Sequence, residues 1–166
     1  MSLSFLLDTD VVSNLRKAKP HPRLLSWLRS VPPESIFMSA PTIAEIQCGI
    51  GLINSPTAAH KVQQWLDGML NDGQPRIAVF GVQAAILLGQ MWATPSLSNF
   101  IVNDPRSRKT KSGADLAIAA AAISMDLVVV TGNVDDFMMI NPAFPLPGLL
   151  NPFDGNWSVE PVAGMP

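Results

Sequence analysis

Short apolar runs alternate along the chain with longer stretches in which apolar residues recur every three or four positions. The runs are typical of buried β-strands and the stretches of amphipathic helices. The predicted strands are 4–7, 35–38, 77–80 and 127–131. The first predicted helix begins near Asp10 or Ser13. Further predicted helices cover 24–28, 42–52, 58–69, 82–92 and 112–124. This alternation predicts an α/β sandwich around a mainly parallel sheet.

Two segments lack this periodicity. Residues 99–111 are polar and basic, which predicts a loop. Prolines are frequent from Pro142 onward, which predicts an irregular end to the chain. We therefore expect residues 1–150 to form the domain and residues 151–166 a proline-rich tail that is not a domain of its own.

Composition narrows the class of protein. A chain of 166 residues with 48% hydrophobic content suits a single domain with a sizeable core. A net charge of −2 argues against a generic nucleic-acid binder, so attraction for phosphate must come from a local patch. Cys48 is the one cysteine, which excludes an internal disulfide and a cysteine zinc site. A single cysteine fits a reduced setting, and we expect a cytoplasmic protein. The longest apolar run, 116–123, is too short to span a membrane.

Acidic residues occupy informative positions. Asp8 directly follows the first predicted strand, and Asp135 and Asp136 follow the valine-rich strand by a few residues. Ligands of open parallel sheets bind just beyond the carboxyl ends of strands. Glu45 and Asp115 lie near the starts of two predicted helices, in otherwise apolar surroundings. These four segments together predict a cluster of carboxylates.

A structural interpretation exists for each acid taken singly. Residues 42–45 and 112–115 match the capping box, in which the acid returns a hydrogen bond to the helix start. Asp8 and Asp10 have the residue type of helix caps. Capping is the simpler interpretation of any one acid, whereas four such segments together favour a site.

Carboxylates without histidine or cysteine companions favour a hard cation, Mg²⁺ or Mn²⁺. His21 and His60 lie far along the chain from these segments, and we expect them at the surface. The sequence also lacks a nucleophile elbow, which argues against a serine or cysteine hydrolase. A carboxylate-held metal suits phosphodiester cleavage by an activated water, and mutual repulsion predicts that one carboxyl is partly protonated before metal binds.

Basic residues are concentrated just before the helix that carries Asp115. They are Arg106, Arg108, Lys109 and Lys111. Such a segment is either a solvated loop or a contact for a nucleic-acid backbone, and its position favours the backbone contact. Thr131 and Asn133 are candidates for orienting a metal-bound water or a phosphate.

Four segments resemble, in order and spacing, the motifs of PIN-domain proteins, particularly the VapC-type and FitB-type toxins. They are residues 5–13, 39–50, 114–122 and 130–137, and the resemblance extends over about residues 3–150. It implies a three-layer α/β/α fold and an endoribonuclease dependent on Mg²⁺ or Mn²⁺. It also implies a toxin held inactive by a cognate antitoxin, and a homodimer.

The resemblance assigns site residues as well. Glu45 and Asp115 correspond to the acids of the second and third motifs, and with Asp8 they would hold the metal. The fourth position is open among Asn133, Asp135 and Asp136. We prefer Asp136 as the fourth catalytic acid, with Asn133 as a neutral participant.

Two alternatives remain. Asp8 and Asp10 fit the opening motif of haloacid-dehalogenase-type phosphatases, in which Asp8 would be the nucleophile. That family places its other motifs in a different order, and the interpretation leaves Glu45 and Asp115 without a role. The second alternative is a PIN-like module that binds a partner without catalysis, against which the presence of three converging acids argues.

Overall fold

The computed structural model describes residues 3–101 and 113–161. Strands and helices alternate from the start of the chain. The strands are β1 (Phe5–Leu7), β2 (Ile36–Ser39), β3 (Arg76–Ala78), β4 (Val128–Val130), β5 (Leu149–Leu150) and β6 (Trp157–Val159). The helices are α1 (Thr9–Leu15), α2 (Pro22–Ser30), α3 (Ala40–Gly51), α4 (Pro56–Asp72), α5 (Val82–Trp92), α6 (Ala114–Ser124) and α7 (Val134–Ile140).

The strands form a single sheet in the order β3-β2-β1-β4-β5-β6. The first five are parallel to their neighbours, and β6 pairs antiparallel with β5 at one edge. The direction of strand order reverses at β1, which has β2 on one side and β4 on the other. The predicted α/β architecture with a mainly parallel sheet is confirmed.

Helices cover both faces of this sheet, which explains the continuous apolar character of its strands. Along β1, Phe5 and Leu7 point to the side of α1–α4, whereas Leu6 points to the side of α5–α7. Each face therefore has its own hydrophobic core. The three-layer arrangement fixes the ends of the central strands, and with them the residues that follow those ends.

The structure corrects two local predictions in the middle of the chain. The third strand is Arg76–Ala78, and Val79 and Phe80 lie beyond it. Asn99 and Phe100 belong to a 3₁₀ turn, Pro95–Phe100, whereas residues 102–111 of the predicted loop lie outside the described residues.

The expectation of an irregular end after Pro142 is wrong for β5 and β6, which join the sheet. β5 contains two residues, so its formation depends on pairing with β4 and not on a local pattern. Gly148 permits this pairing, because a β-carbon there would lie 3.0 Å from a methyl group of Val128. No helix in the described part of the chain has the length and apolar character needed to cross a bilayer.

Candidate active site

The carboxyl ends of β1 and β4 bring together residues that are more than 120 positions apart in the sequence. Asp8 follows β1 and Thr131 follows β4, and the Asp8 N–H donates to the Val130 carbonyl at 3.0 Å. This is the point at which strand order reverses, where open α/β sheets bind ligands.

Asp8 is 3% exposed and uses both of its carboxylate oxygens. Its Oδ1 accepts from the backbone N–H of Thr9 at 2.6 Å, so Asp8 is the N-cap of α1. Its Oδ2 accepts from the Thr131 hydroxyl at 2.7 Å. Helix capping and a place in the site are therefore compatible, because a carboxylate has about four lone-pair positions.

Thr131 is fully buried and links three segments of the site. Its hydroxyl accepts from the N–H of Asn133 at 2.9 Å and lies 2.7 Å from Asp8 Oδ2 and 3.4 Å from Asp10 Oδ1. A hydroxyl has one proton to donate, and the shorter distance gives it to Asp8. Thr131 thus orients Asp8.

Asp10 is a site residue that the sequence reasoning treated as a helix cap. Its Oδ2 accepts from the N–H of Gly132 at 2.8 Å, which ties α1 to the turn after β4. Its spacing of two residues from Asp8 was the available signal, because both side chains at the start of a short helix can face the same strand end.

Glu45 lies in the first half of α3 and is oriented towards α1. It accepts a hydrogen bond from the Thr9 hydroxyl. The capping-box interpretation of residues 42–45 is wrong, because Ser39 is the N-cap of α3 and accepts from the Thr42 N–H at 3.2 Å. Glu45 therefore does not cap its own helix, and its carboxylate faces the candidate site through Thr9.

Asp115 lies in the first turn of α6, which begins after Gly113 in the left-handed conformation, φ +65°. Gly113 is the N-cap, so Asp115 is not at the capping-box position that residues 112–115 suggested. The negative charges of Asp136, Glu45 and Asp10 each raise the pKa of Asp115, so all three carboxylates lie within electrostatic range of it.

The structure distinguishes the candidates for the fourth position. Asp136 accepts from the side-chain amide of Asn133 and contributes the largest charge effect on Asp115. Asp135 is exposed, and its charge is not among those that raise the pKa of Asp115. Position and electrostatics therefore favour Asp136, with Asn133 holding it in place.

Burial and repulsion raise the pKa values of the central acids. The pKa of Asp8 rises to about 8, mainly through burial and then through the charges of Asp10 and Asp115, against the lowering effect of the Thr131 hydrogen bond. The pKa of Asp115 rises to about 6, mainly through burial and then through the charge of Asp136. Burial also raises the pKa of Asp10. A bound cation would relieve this repulsion.

The donor set fits a hard divalent cation, because it consists of carboxylate oxygens together with the oxygen of an amide and a hydroxyl. Within residues 3–101 and 113–161, no group of three or more histidine, cysteine or acidic side chains has an arrangement that could hold a metal ion. Mg²⁺ is commonly held by one or two carboxylates and several waters, and the acids of this site can supply the carboxylates.

A cavity of about 220 Å³ borders the cluster between α1, α3 and α4. Thr9 and Glu45 line its end nearest the acids, and Trp65 and Ile53 line it further away. The basic residues Arg106, Arg108, Lys109 and Lys111 lie outside the described residues. His60 is exposed as predicted, whereas His21 is half-buried, contrary to the prediction.

Comparison with known proteins identifies relatives for most of the chain. VapC ribonuclease Y4jK of Sinorhizobium fredii is 28% identical over 145 residues, which is 84% of this chain and 98% of that protein. Ribonuclease VapC14 of Mycobacterium tuberculosis is 34% identical over 90 residues, 53% of this chain and 84% of that protein. The crystal structure of FitAcB from Neisseria gonorrhoeae matches with a TM-score of 0.67 and 25% identity, covering 90% of this chain and 98% of that one. No model of a protein family matches the sequence.

Proposed function

The chain belongs to the family of VapC and FitB PIN-domain toxins, and from this membership we propose that it is an endoribonuclease whose cleavage depends on Mg²⁺ or Mn²⁺. The observation that carries the site assignment is the convergence of carboxylates at the ends of β1 and β4. The charges of Asp10 and Asp115 act on Asp8, and those of Asp136 and Glu45 act on Asp115.

Asp8, Glu45 and Asp115 would hold the metal in this proposal, and Asp136 would complete the catalytic acids. When bound, a divalent metal lowers the pKa of water and stabilises negative charge on the leaving oxygen. The side chains around the acids keep them in place before substrate arrives. Thr131 fixes Asp8, Thr9 fixes Glu45 and Asn133 fixes Asp136.

The negative charges of the acids repel the phosphates of RNA until those charges are neutralised. We propose that Arg106, Arg108, Lys109 and Lys111 contact the RNA backbone. Their place in the sequence, directly before α6, supports this role. With charge −2 over the whole chain, such a local patch is needed to attract RNA.

Two protein partners complete the proposal. FitAcB and other solved relatives are toxin–antitoxin complexes, which supports a cognate antitoxin that blocks this chain. We also propose a homodimer. Exposed apolar side chains from β3 to the first turns of α5, namely Ile77, Val79, Val82 and Ile86, are available for protein–protein contact.

The test is RNA cleavage by the purified chain, freed of any partner, with Mg²⁺ or Mn²⁺ and with EDTA. We expect cleavage that requires the metal and is lost in Asp115→Asn. The matched control is Asp126→Asn, an exposed acid just beyond the other end of α6, which should retain full cleavage. Full activity of Asp115→Asn would refute the site assignment, and the absence of metal-dependent cleavage in the wild type would refute the function.

The same preparation tests the phosphatase alternative. That alternative requires a covalent phosphate on Asp8, detectable by mass spectrometry after incubation with a phosphomonoester. The site favours the nuclease, because the phosphatase alternative gives no role to Asp115, whose charge acts on Asp8, or to Glu45, whose charge acts on Asp115.

A further inference from the structure

A loop near the end of the chain contacts the candidate active site from outside the four motifs. It consists of residues 151–156, between β5 and β6. Because β5 is parallel to β4, this loop leaves the sheet at the same edge as the carboxylates. The N–H of Thr131 donates to the Leu150 carbonyl at 3.0 Å, directly before the loop begins.

Asn151 organises the loop through its backbone and its side chain. Its Oδ1 accepts from the Phe153 N–H at 2.9 Å, and its Nδ2 donates to Asp154 Oδ2 at 3.2 Å. The Asn151 carbonyl accepts from the Gly155 N–H at 2.9 Å. Arg23 of α2 donates to the Asp154 carbonyl at 2.9 Å, which holds the loop against the domain.

Phe153 contacts the turn after β4. A β-carbon at Gly132 would lie 2.7 and 2.8 Å from two carbons of the Phe153 ring, and 2.8 Å from Asp10 Oδ2. The Phe153 ring and the Asp10 carboxylate therefore both lie on the side of Gly132 where a β-carbon would be, and only glycine fits beside them. The ring itself stands edge-on to His21, with 5.3 Å between the ring centres.

This packing gives the ring a mechanical role. The Gly132 N–H donates to Asp10 at 2.8 Å, and a glycine has the backbone freedom to rotate that N–H away unless a neighbour restricts it. The Phe153 ring packs against Gly132 beside the Asp10 carboxylate and restricts that rotation. The restraint reaches Asp10 through a backbone hydrogen bond, and Asp10 in turn acts on Asp8 and Asp115 by its charge.

We propose that Phe153 is a positioning residue, which holds the Gly132 N–H on Asp10 and thereby keeps the carboxylate cluster arranged for metal and RNA. The kinetic part of this inference rests on the proposed ribonuclease function. The structural part does not, because the hydrogen bond and metal binding can be measured without substrate.

The test compares Phe153→Ala with wild type in three measurements: the amide ¹H chemical shift of Gly132 by NMR, the Mn²⁺ dissociation constant by EPR, and kcat for RNA cleavage. Loss of the Phe153 ring would itself shift the Gly132 resonance, so the hydrogen bond is judged from Asn151→Ala, which keeps the ring. There we expect the Gly132 amide proton to move upfield as its bond to Asp10 weakens. In Phe153→Ala we expect Mn²⁺ binding and kcat each to fall by about tenfold or more, as is typical when a group supporting a metal ligand is removed. Phe153→Leu keeps an apolar wall and should restore most of both.

Phe144→Ala is the matched control, because Phe144 is also a half-buried phenylalanine near the end of the chain but packs in the core on the α5–α7 side. It should lower stability without moving the Gly132 resonance or the Mn²⁺ affinity. If Phe153→Ala does not fold, Asn151→Ala decides the question, since it removes the acceptor for the Phe153 N–H and keeps the ring.

An unchanged Gly132 resonance in a folded Asn151→Ala, or unchanged Mn²⁺ affinity in either folded variant, would overturn the inference. Equal losses in Phe144→Ala would overturn it too, since they would reduce the effect to general destabilisation. If the wild type cleaves no RNA, the proposed function fails, while the resonance and the Mn²⁺ affinity still decide the role of Phe153.

Discussion

Replacing Asp8 by asparagine should stabilise the metal-free fold relative to wild type as pH rises, while RNA cleavage is lost. The substitution preserves shape and removes the charge. The introduced amide can still cap α1 by accepting from the Thr9 N–H, and its NH₂ group then donates to the Thr131 hydroxyl. That hydroxyl no longer donates to residue 8 and is released to donate to Asp10, whose Oδ1 lies 3.4 Å away.

The pKa of Asp8 sets the magnitude of the change in stability with pH. It is about 8 in the folded chain against 3.8 as the ordinary value, so between these pH values the folded chain keeps a proton that the unfolded chain releases. The free energy of unfolding of the metal-free protein therefore falls as pH rises, at up to about 1.4 kcal/mol per pH unit from this one group. Rearrangements that hydrate the carboxylate reduce the slope.

Asp8→Asn lacks this group, while Asp10 and Asp115 remain in both proteins. The difference in unfolding free energy between variant and wild type should then increase in favour of the variant by up to about 3 kcal/mol from pH 5 to pH 7. Urea denaturation in EDTA, followed by far-UV circular dichroism, measures it. In the same variant, RNA cleavage should fall to background, and added Mg²⁺ should no longer stabilise the fold.

A constant difference between the two proteins over pH 5 to 7 would refute the reasoning, because it would show that Asp8 ionises as easily in the fold as outside it. Stabilisation by Mg²⁺ that is equal in both proteins would refute the assignment of Asp8 as a metal ligand.

Three further predictions address the support, charge and substrate contacts of the site. Thr131→Val removes the donor to Asp8 at constant size, so Mn²⁺ affinity measured by EPR should fall by about 10- to 100-fold. Since the pKa values of Asp8 and Asp115 are about 8 and 6, Mn²⁺ binding at pH 7 should release about one proton and strengthen as pH rises towards 8. Calorimetry in two buffers of different ionisation enthalpy measures this release, and a buffer-independent heat would contradict it. Arg106→Glu with Arg108→Glu should weaken RNA binding and flatten its salt dependence, and an unchanged slope of log affinity against log salt would show that this segment does not contact RNA.

The sequence predicted the central strands and the acids at their ends because these depend on local pattern. Three consecutive valines have few alternatives to a buried strand, and an acid directly after such a strand has few places to lie. Glu45 and Asp115 needed more than pattern. In the sequence each has the residue type and spacing of a capping-box acid, and the resemblance to ordered motifs distinguished the two interpretations.

The missed features depend on tertiary contacts. β5 contains two residues between prolines and glycine, and it becomes a strand because β4 offers an unpaired edge. Asp10 was interpreted as a cap because its partner, the Gly132 N–H, is 122 positions away. Phe153 was placed in an irregular tail for the same reason. No periodicity along the chain indicates which turn a distant ring will cover.

The position of β4 between β1 and β5 has a consequence for when the protein becomes active. During synthesis, Asp8 and Glu45 emerge from the ribosome long before Asp115 and Asp136, and the strand that completes the site is inserted after two-thirds of the chain already exists. A partly synthesised chain therefore has no complete set of acids. This order of synthesis delays cleavage until the strand at the centre of the sheet has been made and the fold around the acids exists.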